Sequence, residues 1–67
     1  MSVAKHIELT ADSTKGFEDA ASVGIKKASQ TIEGIRSAWV KDQQVLVENG
    51  EITTYRVTMK VTFVLQD

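Results

Sequence analysis

Along the chain, apolar and polar positions alternate in two stretches and recur at helical spacing in one between them. From Val3 to Thr10, Val3, Ile7 and Leu9 point one way, with Lys5 interrupting, while Ala4, His6, Glu8 and Thr10 point the other. That period of two predicts a short half-buried strand. Thr10-Ala11-Asp12-Ser13 breaks the alternation, and Ser13 is placed to cap a helix through its hydroxyl. Phe17, Ala21, Gly24, Ala28 and Ile32 then recur at steps of three and four, which is one helix face. Glu18 and Asp19 stand early and Lys26 and Lys27 late, as the helix dipole favours. Gly34 suits the left-handed residue that ends a helix. The spacing predicts a helix over about Thr14–Ile32. Gly16 and Gly24 inside it would each cost about 1 kcal/mol against Ala, and close packing must offset that.

The remaining half predicts a hairpin. Val45-Leu46-Val47 and Ile52 flank Asn49-Gly50, a pair suited to a type I′ turn. Beyond it Tyr55, Val57, Met59, Val61, Phe63 and Leu65 alternate with Thr54, Arg56, Thr58, Lys60, Thr62 and Val64, a long two-faced strand. Before the turn, Ala38 and Val40 share one parity and Val45 and Val47 the other. One extra residue near Asp42-Gln43-Gln44, a bulge, would put all four on one face; alternatively both faces are covered near the tip.

These elements predict an α+β fold of β-α-β-β order, one domain over residues 1–67. The last strand lies between the other two in an antiparallel sheet, and the helix lies on one face. His6, Glu8, Ser37, Trp39, Thr54, Arg56, Thr58 and Lys60 fall on the opposite face. A helix of that length spans about 28 Å, whereas the last strand spans about 45 Å. The apolar positions near the turn, Val45, Val47 and Ile52, therefore need a second chain to cover them.

Composition sharpens this expectation. A chain of 67 residues is small for a self-sufficient core. Such scaffolds are strengthened by disulfides, a metal or association. Cysteine is absent and His6 is the single histidine, which leaves association and predicts a homo-oligomer. Eight basic and nine acidic residues without blocks argue against nucleic acid and anionic membranes as partners. No apolar run approaches the roughly 20 residues of a membrane span. The N-terminus shows no signal-peptide core, so a cytoplasmic location is expected.

No catalytic constellation is legible. There is no cysteine nucleophile, no serine–histidine pairing and no glycine-rich phosphate loop, so the chain is not expected to be an enzyme. Four residues on the polar face carry candidate binding chemistry. Trp39 suits a flat platform for an aromatic ligand, or equally an indole packed under a neighbouring chain. Arg56 suits a carboxylate, phosphate or carbonyl edge, or else an ion pair with Glu8. His6 and Glu8 share a strand face but do not by themselves make a metal site. Asp42, Glu48, Glu51 and Asp67 are carboxylates that several chains together could offer to calcium.

Taken whole, the chain resembles the dodecin family. The resemblance runs through Ser13-Thr14-Lys15-Gly16-Phe17-Glu18-Asp19-Ala20 at the helix entry, Thr31-Ile32-Glu33-Gly34-Ile35 at its exit and Thr54 to Phe63 in the last strand. It implies β-α-β-β subunits assembled into a hollow shell of twelve, and a non-catalytic protein that binds or stores a small ligand. In many dodecins that ligand is a flavin (FMN, FAD or riboflavin), held in pairs between subunits and stacked on tryptophan. Here Ser37 occupies the family's usual tryptophan position. Trp39 stands two residues later on the same face, about 7 Å along the strand. Arg56 stands where flavin-binding members carry a glutamine. The resemblance thus implies Trp39, Arg56 and Ser37 as the flavin-binding residues. The alternative it implies is a flavin-free shell that binds calcium or has a structural role, which the arginine at position 56 resembles.

Overall fold

The computed structural model describes residues 3–65. Its elements run β1 (Ala4–Ser13), α1 (Phe17–Ala28), β2 (Ile35–Glu48) and β3 (Glu51–Val64). The sheet order is β1-β3-β2, antiparallel throughout, so the long last strand is central as its two-sided pattern predicts.

β1 is longer than expected. The alternation continues through Ala11 and Ser13, which turn inward with Ile7 and Leu9, while His6, Glu8, Thr10 and Asp12 turn outward. The inward residues become small there because the helix approaches closely. A Cβ placed on Gly24 would meet the Ala11 Cβ and the Met59 Cε at 2.9 Å and the Leu9 Cδ1 at 3.3 Å. Gly24 is therefore required by packing, and its cost as an interior helix residue is incurred.

α1 is correspondingly shorter than the predicted Thr14–Ile32. Gly16, with extended backbone, is its N-cap, so only Gly24 lies in the helix interior. Ser13 does not cap. It sits buried at the end of β1, where its Oγ donates to Asp19 Oδ2 (2.6 Å) and accepts from the Lys15 amide (2.9 Å), tying the first helical turn to the strand. At the other end the chain leaves the helix after Ala28 through Ser29, whose hydroxyl donates to the Ile25 carbonyl (2.8 Å). Ile32 is thus outside the helix. Gly34 has the positive φ expected of it, +79°, but uses it to enter β2, where its carbonyl accepts from the Val64 amide at 3.0 Å.

The hairpin is as predicted. Asn49 and Gly50, at φ +53° and +78°, form the two-residue turn between Glu48 and Glu51. The bulge falls at Lys41, one residue before the expected Asp42-Gln43-Gln44: Val40 pairs with Met59, and the next paired residue, Asp42, meets Thr58. One extra residue reverses the faces, so Ala38, Val40 and Val45 all lie on the helix side despite their mixed parity.

Ala20, Val57, Met59 and Val61 are fully buried, with Ile7, Leu9, Ala11, Phe17, Ala21, Ile25 and Ile35 packed around them. Phe17 meets Tyr55 edge to face at 5.2 Å between ring centroids. α1 packs on β1 and β3 and leaves most of β2 uncovered. A helix of 12 residues reaches about 18 Å, in a chain 51 Å long. Val45, Val47 and Ile52, beyond its N-terminal end, stay exposed.

Candidate functional site

The helix-free face is built of cross-strand rows. One row is His6–Thr62–Ser37, the next Glu8–Lys60–Trp39, then Thr10–Thr58–Asp42, then Asp12–Arg56–Gln44. Rows form because directly paired residues in an antiparallel sheet share a face. The predicted outward positions in β1, β2 and β3 therefore meet as expected, and what the register adds is which of them touch.

Trp39 is 75% exposed on β2, an edge strand. Ser37 stands beside it on the same face, small and exposed, opposite Thr62, whose hydroxyl lies 2.9 Å from His6 Nδ1. Lys60 is the direct partner of Trp39 across the strand. Lys41, the bulge residue, donates to Glu8 at 2.8 Å. A shallow hollow of about 330 Å³ at the strand edge is lined by Trp39, Val40, Lys41 and Lys60. The hydrogen bond from Lys41, then its charge, holds the Glu8 carboxyl below its ordinary value, and Lys60 adds to this; Lys41 is raised in return. Two lysines thus line the hollow with the indole, and one of them is paired to Glu8.

Arg56 is not part of this group within one chain. It lies four residues from Lys60 along β3, about 13 Å away. Its expected partner Glu8 is taken by Lys41, and Arg56 instead pairs with Asp12, its register neighbour, through Nε at 2.7 Å and Nη2 at 2.9 Å. These hydrogen bonds hold the Asp12 carboxyl low and the guanidinium high. Of the three predicted ligand residues, the fold brings Ser37 and Trp39 together and leaves Arg56 apart. Lys41 escaped the sequence reading because parity does not set the direction of a bulged residue. Asp12 escaped it because the alternation predicts a strand only as far as Thr10, three residues short of the end of β1 at Ser13.

Among the described residues, no three of His, Cys, Asp and Glu come close enough to hold a metal ion within one chain. Asp67 lies outside the described residues. No helix of the described chain is long and apolar enough to cross a membrane.

Comparison with known proteins places this geometry. The dodecin family model matches residues 3–66. The chain belongs to the dodecin family. A calcium dodecin from Mycobacterium tuberculosis is 33% identical over 63 residues, covering 94% of this chain and 89% of that protein. A solved dodecin from Streptomyces davaonensis superposes with a TM-score of 0.94 at 29% identity, covering 98% of this chain and 97% of the other. The crystal structure of calcium dodecin from Mycobacterium tuberculosis, described as a calcium-chelating antigen with a novel calcium-binding site, matches with a TM-score of 0.83 at 33% identity, covering 97% and 93%. The dodecin fold accounts for the β-α-β-β order, the central last strand and the single helix on one face.

Proposed function

We propose that this dodecin is a non-catalytic, cytoplasmic ligand-binding protein that works as a homo-oligomer, a shell of twelve chains, and holds a flavin-class ring against Trp39. The observation that carries the reading is an indole three-quarters exposed on an otherwise polar face, with space beside it at Ser37. An aromatic platform contributes about 0.5–1.5 kcal/mol to stacking beyond the area it buries. Lys60 and Lys41 stand ready to donate to ring carbonyls or to a ribityl phosphate. Arg56 enters this reading from a neighbouring subunit. It donates to a ring edge but cannot accept the ring N–H as an amide side chain can, so neutral flavin is held less tightly than by a glutamine at that position.

Titration of free flavin into the assembled protein tests the reading. Stacking on the indole should quench flavin fluorescence, and Trp39→Ala should abolish the quenching. A parent protein that leaves flavin fluorescence unchanged at tens of micromolar overturns it.

The kinship with calcium dodecin favours a second reading, in which the shell binds calcium. Asp42, Glu48 and Glu51 lie along the hairpin, and carboxylates from more than one chain would be needed to complete a site of six or more oxygens. Calcium should then raise the melting midpoint, and a chelator should reverse it.

A further inference from the structure

In the cross-strand rows of the helix-free face, the cations are matched to carboxylates by contact with one exception. Arg56 is held by Asp12 through Nε and Nη2. Lys41 donates to Glu8 at 2.8 Å, and the charge of Asp42 bears on it as well. Lys60 makes no ion pair among the described residues. It acts on Glu8 by charge alone, as the smallest of the influences on that carboxyl.

Lys60 is exposed, and it is the direct register partner of Trp39. The Cβ atoms of such partners stand about 5 Å apart. An ammonium on a flexible four-carbon stem therefore sweeps the rim of any ring laid on the indole. Both side chains line the hollow of about 330 Å³ at the strand edge.

We propose that Lys60 selects ligands by charge, so that the Trp39 platform takes a flavin with a terminal phosphate (FMN) in preference to riboflavin, and that Glu8 limits this preference. The inference rests on the flavin reading and narrows it to one ligand class. The two flavins differ only in the phosphate, which carries about 1.5–2 negative charges at neutral pH. Their rings stack alike on the indole, so the ratio of their affinities isolates the phosphate. Arg56 is not the selecting group, because a two-pronged carboxylate already offsets its charge. Lys41 is offset in the same way by Glu8 and Asp42. Glu8 shares a row with Lys60, so its carboxylate repels an incoming phosphate while it also occupies Lys41.

Parallel fluorescence titrations of FMN and riboflavin into the assembled protein test this. At low salt the parent should prefer FMN by about fivefold, the upper range for an exposed ion pair. The preference should shrink towards one in about 0.5 M salt, where exposed charges are screened. Lys60→Gln should bring the low-salt ratio to about one, and Lys60→Arg, which keeps the charge, should preserve it. Glu8→Gln should raise it.

Equal affinity of the parent for both flavins, a ratio unmoved by salt, or a Lys60→Gln variant with the parent ratio overturns selection by Lys60 while the flavin reading stands. A ratio that stays level or falls in Glu8→Gln removes the role of Glu8. A parent that binds neither flavin removes the flavin reading and this inference with it.

Discussion

Arg56 on β3 grips Asp12 on β1 with two hydrogen bonds, through Nε at 2.7 Å and Nη2 at 2.9 Å. The pair joins the outer strand to the central one at the end of β1, where the chain turns towards the helix. It makes Arg56 a strap between strands in each chain, and any ligand that recruits the guanidinium must compete with a two-pronged carboxylate already in place.

A pH dependence follows from this pair and from Lys41–Glu8. Hydrogen bonds hold the Asp12 and Glu8 carboxyls below their ordinary values in the folded chain. In the unfolded chain they protonate at about 3.9 and 4.3. Between the two sets of values the unfolded state binds more protons, so stability rises with pH there. The contribution is complete above the unfolded values and is lost as pH falls through the folded ones. Thermal melts of the parent should decline on acidification through this interval, and Asp12→Asn should decline less steeply. An equally steep loss in Asp12→Asn would remove Asp12 as a source.

Two glycines with positive φ should differ in tolerance. At Gly50 nothing lies within 4 Å of an added Cβ, so Gly50→Ala meets only the backbone penalty of a left-handed residue, about 1–2 kcal/mol. At Gly34 the added Cβ would also sit 2.8 Å from the Val64 carbonyl oxygen, in rigid backbone. Gly34→Ala should lower the melting midpoint more than Gly50→Ala. Gly50→Val should exceed Gly50→Ala, because β-branching resists positive φ. The reverse order between positions 34 and 50 would contradict the register of Gly34 against β3.

Gly24→Ala opposes two effects. Alanine gains about 1 kcal/mol of helix propensity, and overpacking against the Ala11 Cβ, attached directly to strand backbone, costs about 1–3 kcal/mol. Met59 has a flexible end and can yield; Ala11 cannot without moving β1. The midpoint should fall, and a stabilised Gly24→Ala variant would show that helix and sheet stand further apart.

Trp39→Ala separates the two roles of its indole. On a side chain this exposed, the truncation should change the stability of a subunit by no more than about 0.5 kcal/mol. With Trp39 as a ligand platform, assembly mass is kept and flavin quenching is lost. A fall in mass with no effect on flavin would make Trp39 an interface residue.

Much of this architecture is written locally. The alternation from Tyr55 to Phe63 is strong enough to declare a central strand, and Asn49-Gly50 identifies its turn because few residue pairs accept two positive φ angles in succession. Helix ends are less legible. Ser13 satisfies every local rule for an N-cap, yet it ends a strand and holds Asp19 from outside the helix. The deciding factor is the pairing of β1 with β3 as far as Ser13–Tyr55, a contact between residues far apart in the chain.

By itself the sequence determined the element order, the α+β class, the hairpin turn and the polar face. Each of these follows from periodicity or from φ preferences. Only the tertiary structure decided which polar side chains meet. Register pairs Arg56 with Asp12, and the bulge at Lys41 brings that lysine to Glu8 beside Trp39. Strand pairing is a long-range choice, and shifting it by one residue exchanges the two faces of the sheet. The same is true of the bare part of β2, which exists because a helix of 12 residues settles over β1 and β3.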